Sequence, residues 1–281
     1  MNERARLRDW ARQVADIAAS PENEAVLRRW RDVNALRCPD RPPVWCKPVG
    51  AWDELLPPQA LLSSTPELRG VERTLRRILI KHEIRDDSPV TPWFETAARF
   101  RVDPPNRWGV EIGRHTSGVA GGAWGYDPPL RDRDDLARLT MPSFTLDRDE
   151  SERGLARLHD LLGDILPVRC VAALPLSATL CVEAAALRGL TPLLLDMADD
   201  PDWVRRFMGF LRDACLRSMD QVEATGWLAE NRHEAMTGSD PVGPVSADGT
   251  IRLANLWCLA NSQEFDPVSP EMWEAYLLEF Q

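Results

Sequence analysis

The sequence predicts an α/β fold, a TIM-type (β/α)8 barrel behind a helical N-terminal extension. Three observations predict it. Strand-like and helix-like segments alternate along the chain, which is the pattern of a parallel sheet. The run from Pro167 to Ala173 is densely apolar, as a parallel strand buried on both faces must be. The chain has 281 residues and is 44% hydrophobic, so it can bury a large core. A barrel of roughly 250 residues fits as one domain.

The elements follow in order. Leu7, Trp10, Ala11, Val14, Ile17 and Ala18 recur at helical spacing and place a first helix over residues 3–19. Ser20 then caps a second helix with Pro21 in its first turn, running to about Ala35. Val44, Trp45 and Cys46 read as a short buried strand that opens into a loop holding Gly50 and Trp52. A barrel builds its ligand site from such strand-to-loop junctions. Thr65-Pro66-Glu67 starts a helix that ends near His82, and residues 84–92 form a strand-and-loop candidate. Residues 108–114 alternate as a strand does. Thr116 to Pro129 is rich in Gly and Pro and reads as loop or hairpin. Short and longer helices follow over 132–139 and 149–162, then the apolar strand over 167–173 and a helix over 177–187. Asp200-Pro201 caps a long helix. Strands are expected at 226–231 and 253–259, and Ser269-Pro270 caps a last helix that reaches Gln281.

That gives six strands, at 43–46, 84–92, 108–114, 167–173, 226–231 and 253–259. Residues 1–38 are expected to form the helical extension and 39–281 the barrel domain. Six strands do not close an eight-stranded barrel. The sequence also stops inside an amphipathic helix carrying Met272, Trp273, Tyr276, Leu277 and Phe280. Either the strand count is short or the barrel is incomplete at its C-terminus, and the second is the expectation.

Composition excludes some functions. The net charge is −10 with 44 acidic residues, and no basic stripe stands out, which argues against nucleic acid as a partner. The six cysteines are scattered with no C-x-x-C pair, as expected of reduced thiols in a cytoplasmic protein. No apolar run approaches the roughly 18 residues that span a membrane, and the first residues are charged, so neither a membrane anchor nor a signal peptide is expected. The four histidines, at 82, 115, 159 and 233, have no metal-like spacing with any cysteine, and no metal ligand is assigned.

Two features could carry chemistry. Asp86-Asp87 sits at an expected strand end, before Pro89 and Pro92. Adjacent carboxylates can stabilise a cation, accept ligand N–H groups or serve as acid and base; the plain alternative is a solvated turn. The chain has eleven Trp against two Tyr, and Trp45, Trp52, Trp93, Trp108, Trp124 and Trp257 fall at or near expected strand ends. They could line a flat hydrophobic pocket or simply fill the core.

Several motifs together resemble the uroporphyrinogen decarboxylase family, which includes the porphyrinogen decarboxylase and zinc-dependent methyltransferases that take methyl groups from corrinoid proteins. Arg41-Pro42-Pro43-Val44-Trp45, followed by Gly50, resembles the family's opening strand. Asp87-Ser88-Pro89-Val90-Thr91-Pro92 resembles its second-strand motif, whose Asp contacts pyrrole nitrogens. Ala173-Leu174-Pro175-Leu176-Ser177 resembles its Gly-Ala-Pro-Trp-Thr turn, Asn261-Ser262 its sixth-strand end, and Ser269-Pro270-Glu271 its next helix start. The resemblance spans roughly residues 38–281 and implies the barrel fold. It implies Asp87 as the catalytic residue and Trp45, Lys47, Gly50, Trp93, Ser177, Cys181 and Ser262 as substrate-binding residues.

The departures are chemical. The decarboxylases carry two arginines that grip substrate carboxylates where this chain has Lys47 and Ala51, and a tyrosine where it has Cys181. Arginine offers a bidentate fork and lysine a point charge. The resemblance is thus nearer the decarboxylase-like, corrinoid methyltransferase-like branch, which implies a cytoplasmic methyltransferase-like enzyme working with a corrinoid protein. The alternatives are a tetrapyrrole carboxy-lyase and a non-catalytic, incomplete member. Zinc and a corrinoid are the cofactors implied, although the family's His-x-Cys zinc motif is absent from this chain.

Overall fold

The computed structural model describes residues 2–119, 122–230 and 249–281. Its α-helices in chain order are α1 (Glu3–Ala18), α2 (Pro21–Asn34), α3 (Trp52–Leu55), α4 (Pro66–Ile84), α5 (Arg148–Leu162), α6 (Leu180–Arg188), α7 (Leu190–Asp199), α8 (Pro201–Glu223) and α9 (Pro270–Tyr276). The strands are β1 (Phe94–Ala97), β2 (Phe100–Asp103), β3 (Gly113–Thr116), β4 (Trp124–Asp127), β5 (Ser143–Leu146) and β6 (Val168–Val171).

Most helix starts follow directly from side-chain chemistry. Ser20, Thr65, Asp200 and Ser269 each accept the amide hydrogen of the residue three positions on, and a proline fills the first turn in all four helices. The cap satisfies a donor that the helix leaves orphaned, and proline has no such donor to satisfy. Asn2 caps α1 in the same way.

The chain divides into two compact units. The first comprises Met1–Ala98, Arg148–Val171 and Ala229–Trp257. Its core joins Leu7, Ala11 and Val14 of α1 to Val71 and Leu75 of α4 and to Leu158, Leu161 and Leu162 of α5. The N-terminal helices therefore belong to a core. Phe94 of β1 and Val90 complete it, and β1 pairs in parallel with β6 in the register Phe94↔Val168 to Ala97↔Val171.

The second unit comprises Arg99–Asp147, Ala172–Leu228 and Cys258–Gln281. Here β2 pairs antiparallel with β5, and β3 antiparallel with β4. The 23-residue α8 buries Trp203, Val204, Phe207, Met208, Leu211, Ala214 and Cys215, which meet α6, α7 and Phe144 of β5. That stripe repeats at helical spacing, as an amphipathic helix requires.

Among the described residues the six strands pair two by two in three small sheets, with no closed barrel. The strand expected at 167–173 is present as β6, and the one expected at 108–114 is displaced to Gly113–Thr116. Residues 43–46 and 86–92 are irregular, and 253–259 opens with a 3-10 turn over Leu253–Asn255. Residues 226–230 are irregular too, and 231 lies outside the described residues. Val44 was expected to be buried and is 61% exposed. The physical reason appears in the site below: this segment takes its partners from side chains, not from a ladder. Among the described residues no helix is long and apolar enough to cross a membrane.

Candidate functional site

The first unit contains a cavity of about 1190 Å³. That is large beside the common range of roughly 300–1,000 Å³ for small-molecule sites. Its walls come from α2, from α4, and from the segments 41–52 and 86–95. Four of the five first-unit residues singled out from sequence line it: Trp45, Lys47, Asp87 and Trp93. Gly50 does not. It is exposed, and a Cβ built on it meets nothing within 4 Å.

Asp87 is the best-connected group in the wall and is 1% exposed. Arg29 donates to Oδ1 at 2.6 Å, and Arg41 donates to Oδ2 at 2.6 Å and to Oδ1 at 2.8 Å. The Val44 amide donates to Oδ2 at 2.7 Å. These four bonds fill the roughly four lone-pair sites of a carboxylate. Burial pushes the Asp87 pKa up, but the Arg41 hydrogen bonds, the Val44 amide and the charge of Arg29 outweigh it, and the net direction is down. Asp87 is therefore held ionised with no lone pair left for a substrate proton. Its effect on the cavity is to fix two guanidinium groups.

Arg29 is fixed from both sides. Its Nε and Nη2 form a fork onto Asp40, both at 2.8 Å, while Nη1 serves Asp87. The bond from Arg29 holds the Asp40 carboxyl down to about 2. Arg41 spends three of its five N–H groups, on Asp87 and on the Pro42 carbonyl. Its side chain stays half exposed.

The same carboxylates explain the irregular segment. Asp87 N–H donates to the Val44 carbonyl at 2.6 Å, and the Cys46 amide donates to Asp86 Oδ2 at 2.7 Å. Lys81 donates to both Asp86 and the Cys46 carbonyl. Residues 44–46 are thus held extended by two acidic side chains. Asn23 of α2 adds a clamp, pairing with both the N–H and the carbonyl of Val90 at 2.9 Å. Trp45 meets Trp30 edge-on with centroids 5.8 Å apart, and Trp30 Nε1 donates to the Asp87 carbonyl at 2.7 Å. Trp93 donates to Glu95 at 2.6 Å and lies beneath the Arg169 guanidinium at 3.8 Å.

Ser177, Cys181 and Ser262 belong to the second unit. There Cys181 is buried and donates to Glu264 Oε2 at 2.9 Å and to the Asn261 carbonyl at 3.0 Å. Burial first, then the Glu264 hydrogen bond and charge, push its thiol up to about 12. A thiol so held is a poor nucleophile near neutral pH. Ser177 accepts the Thr179 amide at 3.1 Å, and Ser262 precedes the 3-10 turn over Gln263–Phe265.

Among the described residues no group of three or more His, Cys, Asp or Glu is placed to hold a metal ion, so no zinc ligands are assigned. His233 lies outside the described residues.

Sequence reading missed Arg29, Asp40, Asn23 and Arg77. The first three leave little signal, since each looks like an ordinary polar helix or loop residue. Arg77 was legible. Thr74, Arg77, Ile78 and Lys81 recur on one face of α4, and all line the cavity. No protein-family model, curated protein or solved structure matches the chain.

Proposed function

We propose that this is a cytoplasmic, uroporphyrinogen-decarboxylase-like protein of the methyltransferase-like branch, and that its first-unit cavity binds a flat, carboxylate-bearing ligand of the tetrapyrrole or corrinoid class. One observation carries the binding part of this reading. Arg29 and Arg41 are locked on Asp87 in the wall of a large cavity that also presents Trp45, Trp52 and Trp93. Fixed guanidinium groups grip carboxylates with little further loss of freedom, and indole faces take flat rings. The reaction class rests on the motif resemblance alone, as do the barrel and the corrinoid protein partner.

Titration with coproporphyrin III, followed by tryptophan quenching and the Soret band, tests the reading. The corresponding tetra-amide serves as a neutral control, and cobalamin as the corrinoid arm. We expect coproporphyrin to bind at least tenfold more tightly than its tetra-amide, and Arg41→Ala to remove that preference. Equal affinity for both porphyrins, or no binding of either porphyrin or of cobalamin, would overturn it.

A further inference from the structure

Only three buried side-chain polar atoms among the described residues lack a hydrogen-bond partner: Asn34 Nδ2, Arg77 Nε and Ser88 Oγ. Two of the three, on Arg77 and Ser88, belong to residues that line the same cavity. Folding selects against such groups, because an unpaired buried donor forfeits its bond to water and gains nothing. Neither atom is accessible in this geometry, so a ligand oxygen reaches them only after a small rotation of each side chain.

Two neighbouring bases on α4 are spoken for. Arg76 donates to Glu72 and to the Ala60 carbonyl. Lys81, one turn beyond Arg77, is taken by Asp86 and the Cys46 carbonyl. Arg77 instead lies over Trp52, with its guanidinium carbon 4.6 Å from the ring centroid. A guanidinium over an aromatic face keeps its in-plane N–H fork available for an oxyanion. Ser88 is tied to the same wall, its amide donating to Asp86 Oδ1 at 3.1 Å. Its hydroxyl can donate to a ligand oxygen.

We propose that Arg77 and Ser88 form an oxyanion subsite, with Trp52 as its platform, that receives a carboxylate or phosphate group of an aromatic small molecule. The inference deepens the preceding reading in that it rests on the cavity being a ligand site, but it needs neither a tetrapyrrole nor the Arg29–Asp87–Arg41 cluster.

The test uses the full chain and three probes sharing one ring: benzoate, phenyl phosphate and neutral benzamide. Dissociation constants come from calorimetry and tryptophan quenching. We expect the parent to bind benzoate or phenyl phosphate at least tenfold more tightly than benzamide, the stronger of the two anions identifying the group the subsite takes. Arg77→Met keeps an apolar stem over Trp52 and should weaken that anion about tenfold or more without changing benzamide. Ser88→Ala should weaken it severalfold. Arg77→Lys, which keeps the charge and loses the fork, covers the case in which Arg77→Met fails to fold and should lose most of the affinity. No preference for either anion in the parent, or unchanged affinity in the Arg77 variants, would overturn the subsite. Coproporphyrin binding without any anion binding through Arg77 would overturn it while leaving the larger reading intact. Anion binding through Arg77 without coproporphyrin binding would do the reverse.

Discussion

Two buried carboxylates among the described residues each sit between two arginines, and they serve different ends. In the first unit Asp87 is held by Arg29 and Arg41. In the second unit Asp196 is held by Arg133 and Arg188, both through Nε at 2.8 Å. Both aspartates are buried. The difference lies in what the arginines do with their remaining donors. Arg188 is itself buried and uses four bonds, two to Asp196 and one each to the carbonyls of Leu130 and Arg131. Its guanidinium also sits 5.5 Å from the Trp203 ring. The donors of Arg188 are consumed internally, so the cluster is a staple for the loop that follows β4. Arg41 is half exposed and lies against a cavity. Acid–arginine chemistry alone does not mark a site; leftover donor capacity beside a void does.

The comparison can be broken by removing each acid. Asp196→Ala should have the largest effect. It leaves Arg188 buried and uncompensated, which typically costs about 3–5 kcal/mol. Urea melts measure it, and a loss under 1 kcal/mol would remove the staple from the comparison. Asp87→Asn should cost less, roughly 2–3 kcal/mol, because Arg41 can rehydrate and Arg29 keeps Asp40. The same variant should lose the coproporphyrin preference, since the Arg41 guanidinium is no longer fixed on Asp87.

Acid sharpens the contrast. The Asp87 pKa is lowered on folding, so the unfolded chain binds the proton first as pH falls. Its stabilisation is complete above the unfolded value of about 3.9 and is lost as pH drops through the depressed folded value. Melts between pH 5 and pH 3, within the linkage window of a depressed aspartate, should show wild type losing stability faster than Asp87→Asn. Parallel curves would mean that Asp87 is not ionised by its partners.

Smaller effects test the rest. Cys181→Ala removes one donor to Glu264 and should cost about 1 kcal/mol. In the native protein at pH 8, iodoacetamide should label Cys38, Cys46 and Cys258, which are exposed, well before Cys181 and Cys215. Burial pushes the Cys215 thiol up to about 11 as well. Early labelling of Cys181, read by mass spectrometry, would contradict its packing. Gly50→Ala should be the quietest change, within about 0.5 kcal/mol and without effect on ligand binding. A loss of affinity there would restore Gly50 to the site.

The helices were legible because their signals are local. A cap residue followed by proline, then apolar residues at 3.6 spacing, fixes a start and a buried face within a few residues, as α2, α4, α8 and α9 show. The apolar run at 167–173 was legible as a parallel strand for the same reason. What failed depended on distant partners. Val44–Cys46 has strand composition, yet its amides are taken by Asp86 and Asp87, some 40 residues on. The run at 253–259 is equally apolar but leaves Trp257 and Leu259 exposed. Asp87 itself was singled out as the catalytic residue, and it lines the cavity. Its saturation by Arg29 and Arg41 was not readable, because a carboxylate in a motif looks the same whether its lone pairs are free or filled.

The crossing of residues 41–46 with 86–88 also orders events in time. Helices α1, α2 and α4 can begin from their own caps, with contacts close in sequence. The crossing must first close a loop of about 40 residues, and its chain entropy is recovered only when Asp87 meets both arginines. It should therefore assemble after the helices and open before them. Native-state hydrogen exchange would then find the amides of Val44 and Cys46 exchanging through a partial opening of lower free energy than the amides inside α4. A molecule bound in the cavity would close that route, so slowed exchange at two backbone positions would report occupancy without any assay of turnover.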